Sequence, residues 1–348
     1  LNLPRQFILI FSTIVCLVLT TIVSFNYVMD PLWTFNQKHT FNDYQSVIDE
    51  RLQKTSRMFF QPFSYDTILL GSSRSTYINQ NKFTNMNVYN FSVNNLSIRE
   101  YDTFLAFAER QSDQPIKRVL IGLDFFKTSV QESERPVSLV NYEKKLDDPL
   151  YRAKNLFSID SFRYSVQNLR MSIANEVQAD RVYNHDNVAA ARHISEEERN
   201  ANTAEKIHRF KDEFYGSNYV YNPRYKEYLT IFTDRHPDVE TIVYTTPISM
   251  ALFQTLIEEG QLDDYEQWLH DVVDVFGGVY NFMYPNEVTN DLTNYFDGHH
   301  FYPIVGDKIA ERINEGPNAQ SSFGVYLTKE NIDSRLAEIR KKIELKKS

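Results

Sequence analysis

The first strong pattern along the chain is an absence of charge. Phe7 to Met29 reads FILIFSTIVCLVLTTIVSFNYVM, with no polar face at helical spacing. At 1.5 Å per residue these 23 residues form a helix long enough to cross a hydrocarbon core. Arg5 precedes the run and Asp30 follows it. The positive-inside rule then places the amino terminus in the cytoplasm and the rest of the chain outside. The competing reading is a cleaved signal peptide. The run is longer than a usual h-region, however, and no Ala-x-Ala site follows it. Asp30-Pro31 ends the helix, because a residue before proline leaves the α region.

After a connector over residues 31–40, residues 42–60 read as an amphipathic helix with Tyr44, Val47, Ile48, Leu52 and Phe59 apolar. From Tyr65 the pattern alternates. Tyr65–Leu70, Asn87–Val93 and Lys117–Phe126 are short apolar strands, and Ser97-Ile-Arg-Glu100 is a capping box opening a helix between the last two. Residues 127–221 break the rhythm and read as a mostly helical insertion, with a helix over 161–173 and a polar stretch over 177–210. The alternation resumes with a helix at 223–235, a strand at 241–246, a helix at 252–276 and a strand at 278–283. Pro303 suits the first turn of a helix carrying Val305, Ile309 and Ile313 on one face. Residues 314–322 read as a linker. Thr328 then caps a last helix with Ile332, Leu336, Ile339 and Ile343 inward and a basic end at Lys341, Lys342, Lys346 and Lys347.

Strands alternating with helices imply an α/β fold with a parallel sheet covered on both faces. The segments are then residues 1–6 in the cytoplasm, 7–29 across the membrane, and 30–64 as a juxtamembrane connector and helix. Residues 65–315 form the α/β domain with its insertion at 127–221, and 316–348 a linker and amphipathic helix.

Composition narrows the function. The chain of 348 residues is 42% hydrophobic and 24% charged, with 25 Phe and 22 Tyr, so a large core is available. A net charge of −9 without a basic stripe argues against nucleic acid as a partner. The single cysteine, Cys16, lies in the apolar run, which leaves the rest of the chain without disulfides or cysteine-based metal and redox chemistry.

Candidate chemistry gathers at strand ends. Gly71-Ser72-Ser73-Arg74 follows the first strand, Asn90-Phe91-Ser92 with Asn94 and Asn95 the second, and Gly122-Leu123-Asp124 ends the third. Asp297-Gly298-His299-His300 precedes the Pro303 helix. A serine hydroxyl needs an adjacent base, and an imidazole steadied by a carboxylate is a suitable one. Ser73 is the candidate nucleophile, with Ser72 in reserve; the alternative for Ser73 is a helix cap. Asp297 and His300, three apart on a bend that Gly298 permits, are the candidate orienter and base. His299 is the other possible base, and a metal site at Asp297, His299 and His300 the other reading. The oxyanion donors are the backbone N–H groups of Ser73 and Ser92 and the Asn94 side chain. Arg74 either meets an anionic substrate group or pairs with Asp124.

In order and placement, these blocks resemble the SGNH (GDSL-type) hydrolase superfamily over about residues 65–315. The resemblance implies a three-layer, flavodoxin-like parallel sheet. It carries nucleophile, orienter and base onto Ser73, Asp297 and His300, and an oxyanion N–H onto Ser92. Two blocks depart from the pattern. Ser92 stands for a glycine, and the third strand ends in Gly122-Leu123-Asp124 without the family's oxyanion asparagine, for which Asn94 or Asn95 substitutes. A membrane anchor and Gly-Ser-Ser as the first block resemble the envelope acyltransferase branch, with DltD and AlgJ/AlgX-like proteins. That implies acyl transfer, with no cofactor, to an envelope polysaccharide or polymer outside a bacterial membrane. The implied partner is a multispanning membrane-bound O-acyltransferase (MBOAT). An esterase using water as acceptor, or a catalytically silent SGNH-like subunit of a polysaccharide export complex, are the other readings.

Overall fold

In the computed structural model, residues 3–134 and 136–347 are described, with the side chains of 345–347 excepted. Leu1 and Asn2 of the expected cytoplasmic segment, and the Lys346 and Lys347 side chains, lie outside the described residues. The chain packs as two units, one of residues 1–62 and 140–192, the other of residues 63–139 and 193–348. The segment read as a single insertion at 127–221 is therefore divided between them.

The first unit begins with the helix Leu3–Met29, which is long and apolar enough to cross a membrane. It stops where Asp30 turns to φ 43° before Pro31. The helix expected over 42–60 is shorter. A turn at Thr40–Asn42 and a two-residue strand, Gln45–Ser46, precede a helix at Glu50–Phe60. Apolar periodicity misjudged this segment because the Glu50–Phe60 helix buries polar side chains. Gln53 donates to the carbonyls of Pro31 and Ser46 at 3.0 and 2.9 Å. Tyr183 and Arg181 reach Glu50 at 2.6 and 2.7 Å. Irregular backbone over residues 30–46 leaves carbonyls that side chains must satisfy, and an apolar face supplies no donors.

The second unit is mixed α/β, built on a six-stranded sheet. Its strands are β1 (Thr67–Leu70), β2 (Val88–Asn90), β3 (Arg118–Leu123), β4 (Glu240–Thr245), β5 (Gly278–Asn281) and β6 (Val325–Thr328). They lie in the order β2-β1-β3-β4-β5-β6. The first five are parallel, and β6 pairs antiparallel with β5, Gly278 opposite Thr328. Sequence order reverses between β1 and β3, the switch point where open sheets of this kind leave a crevice beyond the strand ends.

Each of the five expected strands is present; four are trimmed by two to four residues, and the fourth keeps its length but starts one residue earlier, at Glu240. β6 lies between the linker read over 314–322 and the last helix, and includes the Thr328 read as that helix's cap, because four residues carry too little periodicity to announce a strand. The helix expected over 252–276 is two, Met250–Glu258 and Leu262–Phe276, broken where Gly260 adopts φ +81°. The capping box is formed, Ser97 N–H donating to Glu100 Oε2 at 2.8 Å.

One close approach positions the chemistry. The helix Pro303–Asn314 buries Val305, Ile309 and Ile313. A Cβ on its Gly306 would stand 2.3 Å from the Tyr77 carbonyl oxygen and 2.9 Å from Ile78 Cα. The helix therefore sits directly on the loop that follows Ser73. Gly306→Ala is expected to push the two apart, costing about 1–3 kcal/mol of stability and reducing Ser73 reactivity towards a fluorophosphonate. Ile304→Ala, on the exposed side of the same helix, serves as control. Thermal unfolding and labelling rates check both, and a Gly306→Ala protein that labels like the control would refute the positional role.

Candidate active site

Ser72 and Ser73 after β1, Asn94 and Asn95 after β2, Phe126 after β3, and His299 and His300 before the Pro303 helix line a cleft of about 570 Å³. Ser73 leaves the end of β1, and the loop beyond it is tied by its own hydrogen bonds. Thr76 Oγ1 donates to the Ser73 carbonyl, and Asn90 Nδ2 donates to the Ser75 and Ile78 carbonyls, both at 2.9 Å. Tyr244 holds Ser75 Oγ at 2.8 Å from β4. The nucleophile loop is thus braced from β2 on one side of β1 and from β4, beyond β3, on the other.

The Asp297–His300 segment is a closed bend. Phe296 N–H donates to the His300 carbonyl at 3.2 Å, and Gly298 takes φ +71°. A side chain at Gly298 would also meet Thr203 Cγ2 at 2.8 Å, so the position needs glycine twice over. Asp297 Oδ1 accepts the N–H groups of His299 and His300 at 3.0 and 2.6 Å. Its Oδ2 lies 2.8 Å from His300 Nδ1, and His300 Nε2 lies 2.9 Å from Ser73 Oγ. The three residues assigned from sequence form one relay. Asp297 orients the ring so that Nε2 faces the hydroxyl it would deprotonate.

A fourth residue joins them. Lys206 Nζ stands 3.0 Å from Asp297 Oδ2 and lines the cleft. It comes from the helix Glu196–Phe210, inside the polar stretch that carried no motif. The available signal was spacing, since Thr203 and Phe210 of that helix are buried at i−3 and i+4 from it. The helix continues as a π-helical segment, Lys211–Tyr215, which adds Phe214 to the cleft wall. Burial opposes ionisation of Asp297. The charge and hydrogen bond of His300, and the charge of Lys206, outweigh it and hold the carboxyl well below the usual carboxylate range.

The ring that bridges Ser73 and Asp297 is that of His300 and not of His299. His299 is 5% exposed, packs its ring against Phe126 and Phe210, and stands across His300 at 4.5 Å between ring centroids. Burial, and after it the charge of Arg74, push its imidazole far towards the neutral form.

The other assignments separate. Asn94 reaches the cleft with Ser72 and Ser73, and Asn95 beside it takes φ 59° and accepts from Lys127 Nζ. Ser92 does not reach it. Its N–H donates to Asn90 Oδ1 at 3.0 Å and the residue is fully buried, so the oxyanion role carried over to Ser92 is corrected. Arg74 likewise does not face a substrate. Its guanidinium is 1% exposed and bonds Asp124 Oδ1 at 2.6 Å, resolving the two readings of that residue in favour of the ion pair.

Two measurements test the relay. Asp297→Asn leaves the shape but offers His300 the wrong tautomer, and Ser73 labelling is expected to fall about 10³–10⁴-fold. The folded Asp297 carboxyl is a stronger acid than the unfolded one. Its contribution to stability is therefore full above the ordinary Asp value of about 3.9 and is lost as pH falls below it. The difference in unfolding temperature between wild type and Asp297→Asn should shrink as the solution is taken through that range. A difference independent of pH would contradict the ionised, donor-bound carboxylate.

No protein-family model matches this chain, and no curated protein matches it, so the reading of the site rests on its residues and their geometry.

Proposed function

We propose that this chain is a membrane-anchored O-acyltransferase of SGNH type, acting outside the membrane on a polysaccharide or polymer of the cell envelope through an acyl-Ser73 intermediate. The observation that carries the reading is the relay Ser73 Oγ, His300 Nε2, His300 Nδ1, Asp297 Oδ2, with successive gaps of 2.9 and 2.8 Å. A strand order that turns at β1 and β3, directly above Ser73, favours the SGNH-type domain among α/β folds. The long apolar helix Leu3–Met29 favours an anchor, and Arg5 on one side of it favours an outward-facing domain.

The chemistry follows from the relay. Ser73 Oγ attacks the carbonyl carbon of the acyl donor while its proton passes to His300 Nε2. Asp297 faces the imidazolium that results. The oxyanion is met by the Ser73 N–H and the Asn94 amide. Collapse expels the donor's leaving group, which takes the proton from His300, and leaves the acyl-Ser73 ester. An acceptor hydroxyl then gives its proton to His300, attacks the ester and frees Ser73 Oγ, which recovers the proton. The cleft suits a polyhydroxylated acceptor. Asn94, Asn95, Gln131 and Asn218 offer amide donors and acceptors, and Phe214 an apolar face. The donor is delivered by a multispanning membrane O-acyltransferase. With water in place of the acceptor the same steps describe an esterase.

Ser73→Ala is expected to abolish labelling by a fluorophosphonate and to lower the acyl content of the surface polymer. Full labelling of the variant would sink the reading. Loss of labelling with a rise in polymer acylation would assign hydrolysis in its place.

A further inference from the structure

The Leu3–Met29 helix is tied to the turn joining the helices Tyr151–Leu156 and Ile159–Ala174. Asn26 is 2% exposed, and its amide donates to the carbonyls of Leu156 and Ser158 at 2.9 and 3.0 Å. Its Oδ1 accepts from Ser165 Oγ at 3.0 Å. Phe25 packs edge-on against Phe162 with ring centroids 5.4 Å apart. On the outer side of the same turn, Phe157 is 57% and Ile159 63% exposed.

The height of that turn follows from the helix, on the reading that the helix spans a membrane. Arg5 keeps its charge out of hydrocarbon, so Phe7 is the first residue wholly available to the core. A core of about 30 Å takes about 20 residues at 1.5 Å each, which runs from Phe7 to Asn26. A tilt of about 20° moves that boundary by one or two residues. Burial along the helix places it alike. The helix is exposed from Leu3 to Thr21, partly covered at Ile22, Val23 and Phe25, and buried at Asn26. Protein begins to enclose the helix where hydrocarbon would end, and the carbonyls on either side of Phe157 are the ones bonded to Asn26.

We propose that Phe157 and Ile159 are a second membrane contact, inserted into the lipid at the interface of the leaflet from which the chain emerges. Large apolar side chains at headgroup depth gain by entering the acyl boundary. The surrounding charge agrees: residues 140–175 hold six Lys and Arg against four Asp and Glu, in a chain of net charge −9. That balance suits anionic headgroups. With the helix as the first point of attachment and this turn as the second, the first unit is fixed in rotation about the helix axis.

The test uses the full chain in vesicles of phosphatidylcholine and phosphatidylglycerol. Cys16, the sole cysteine, is first replaced by serine. Nitroxide labels are then placed by Phe157→Cys and Ile159→Cys, with Leu17→Cys in the helix and Glu330→Cys on an exposed surface as references. Collision with oxygen, which partitions into lipid, is compared with collision with an aqueous nickel chelate. Labels at 157 and 159 are expected to show several-fold less nickel contact than the label at 330, and oxygen contact approaching that at 17. Nickel contact equal to that at 330, with 17 in hydrocarbon, overturns the proposal and leaves the anchor standing. Protection from both reagents assigns the surface to a protein partner and also overturns it. A water-exposed label at 17 removes the anchor itself, and the proposal with it.

Discussion

The site depends on one carboxylate staying charged where water hardly reaches it. Asp297 is 8% exposed, and an ionised group so placed is costly unless its lone pairs are met. Four donors meet them. Two backbone N–H groups of its own bend take Oδ1, and His300 Nδ1 and Lys206 Nζ take Oδ2. The bend supplies three of these donors locally, which is why a short stretch ending in Pro303 can carry both orienter and base. The fourth arrives from the Glu196–Phe210 helix, more than ninety residues earlier in the chain. The carboxylate thereby joins a sheet-end loop to a helix that also walls the cleft.

What the sequence made legible is what short-range rules govern. Five strands, the capping box at Ser97 and the inward face of the Pro303 helix each advertise themselves within a dozen residues. So do the paired Asp297 and His300, since an Asx-type bend with glycine inside it is a local object. Lys206 was not legible because its partner lies on another element and its own surroundings read as solvated surface. The Glu50–Phe60 helix misled for a related reason. It buries Gln53, Lys54, Thr55 and Ser56, with Gln53 bonded to irregular backbone and Ser56 to the Tyr151 hydroxyl, so its inward face is polar and the apolar count points elsewhere. Ser92 shows the limit of carrying roles over by position. It follows β2 as the motif requires, but in the fold Asn90 has already taken its N–H.

The exit from the long apolar helix Leu3–Met29 obeys the same rule on a larger scale. Asp30, Trp33 and Asn36 all take positive φ within seven residues, where an L-residue is strained. Side chains hold the segment in that path. Asp30 accepts from the N–H groups of Thr34 and Phe35 at 2.7 and 2.9 Å, and Asn42 donates to the carbonyls of Val28, Met29 and Gln37. Burial raises the Asp30 carboxyl to about 6 despite those hydrogen bonds. A segment so heavily bonded is a rigid collar and not a tether, and a rigid collar transmits the orientation of the helix to the unit it carries.

The Arg74–Asp124 pair raises the question of why a charge pair lies beneath the cleft. Well-packed apolar residues of like volume are often as stabilising as a buried ion pair, or more so, and stability alone therefore does not account for it. Its geometry does more. Arg74 follows β1, Asp124 follows β3, and Thr246, which donates to Asp124, follows β4, so the pair laces three adjacent strand ends together. The guanidinium also lies 5.7 Å from the centre of the Phe126 ring, one of the cleft walls. Its charge is among the causes that keep His299 neutral, second to burial. Two imidazoles at 4.5 Å cannot both take a proton cheaply, and the one held neutral is the one that does not face Ser73. Arg74 thus bears on the cleft without lining it. It ties the floor of the cleft together and helps hold neutral the imidazole of His299, which packs against His300.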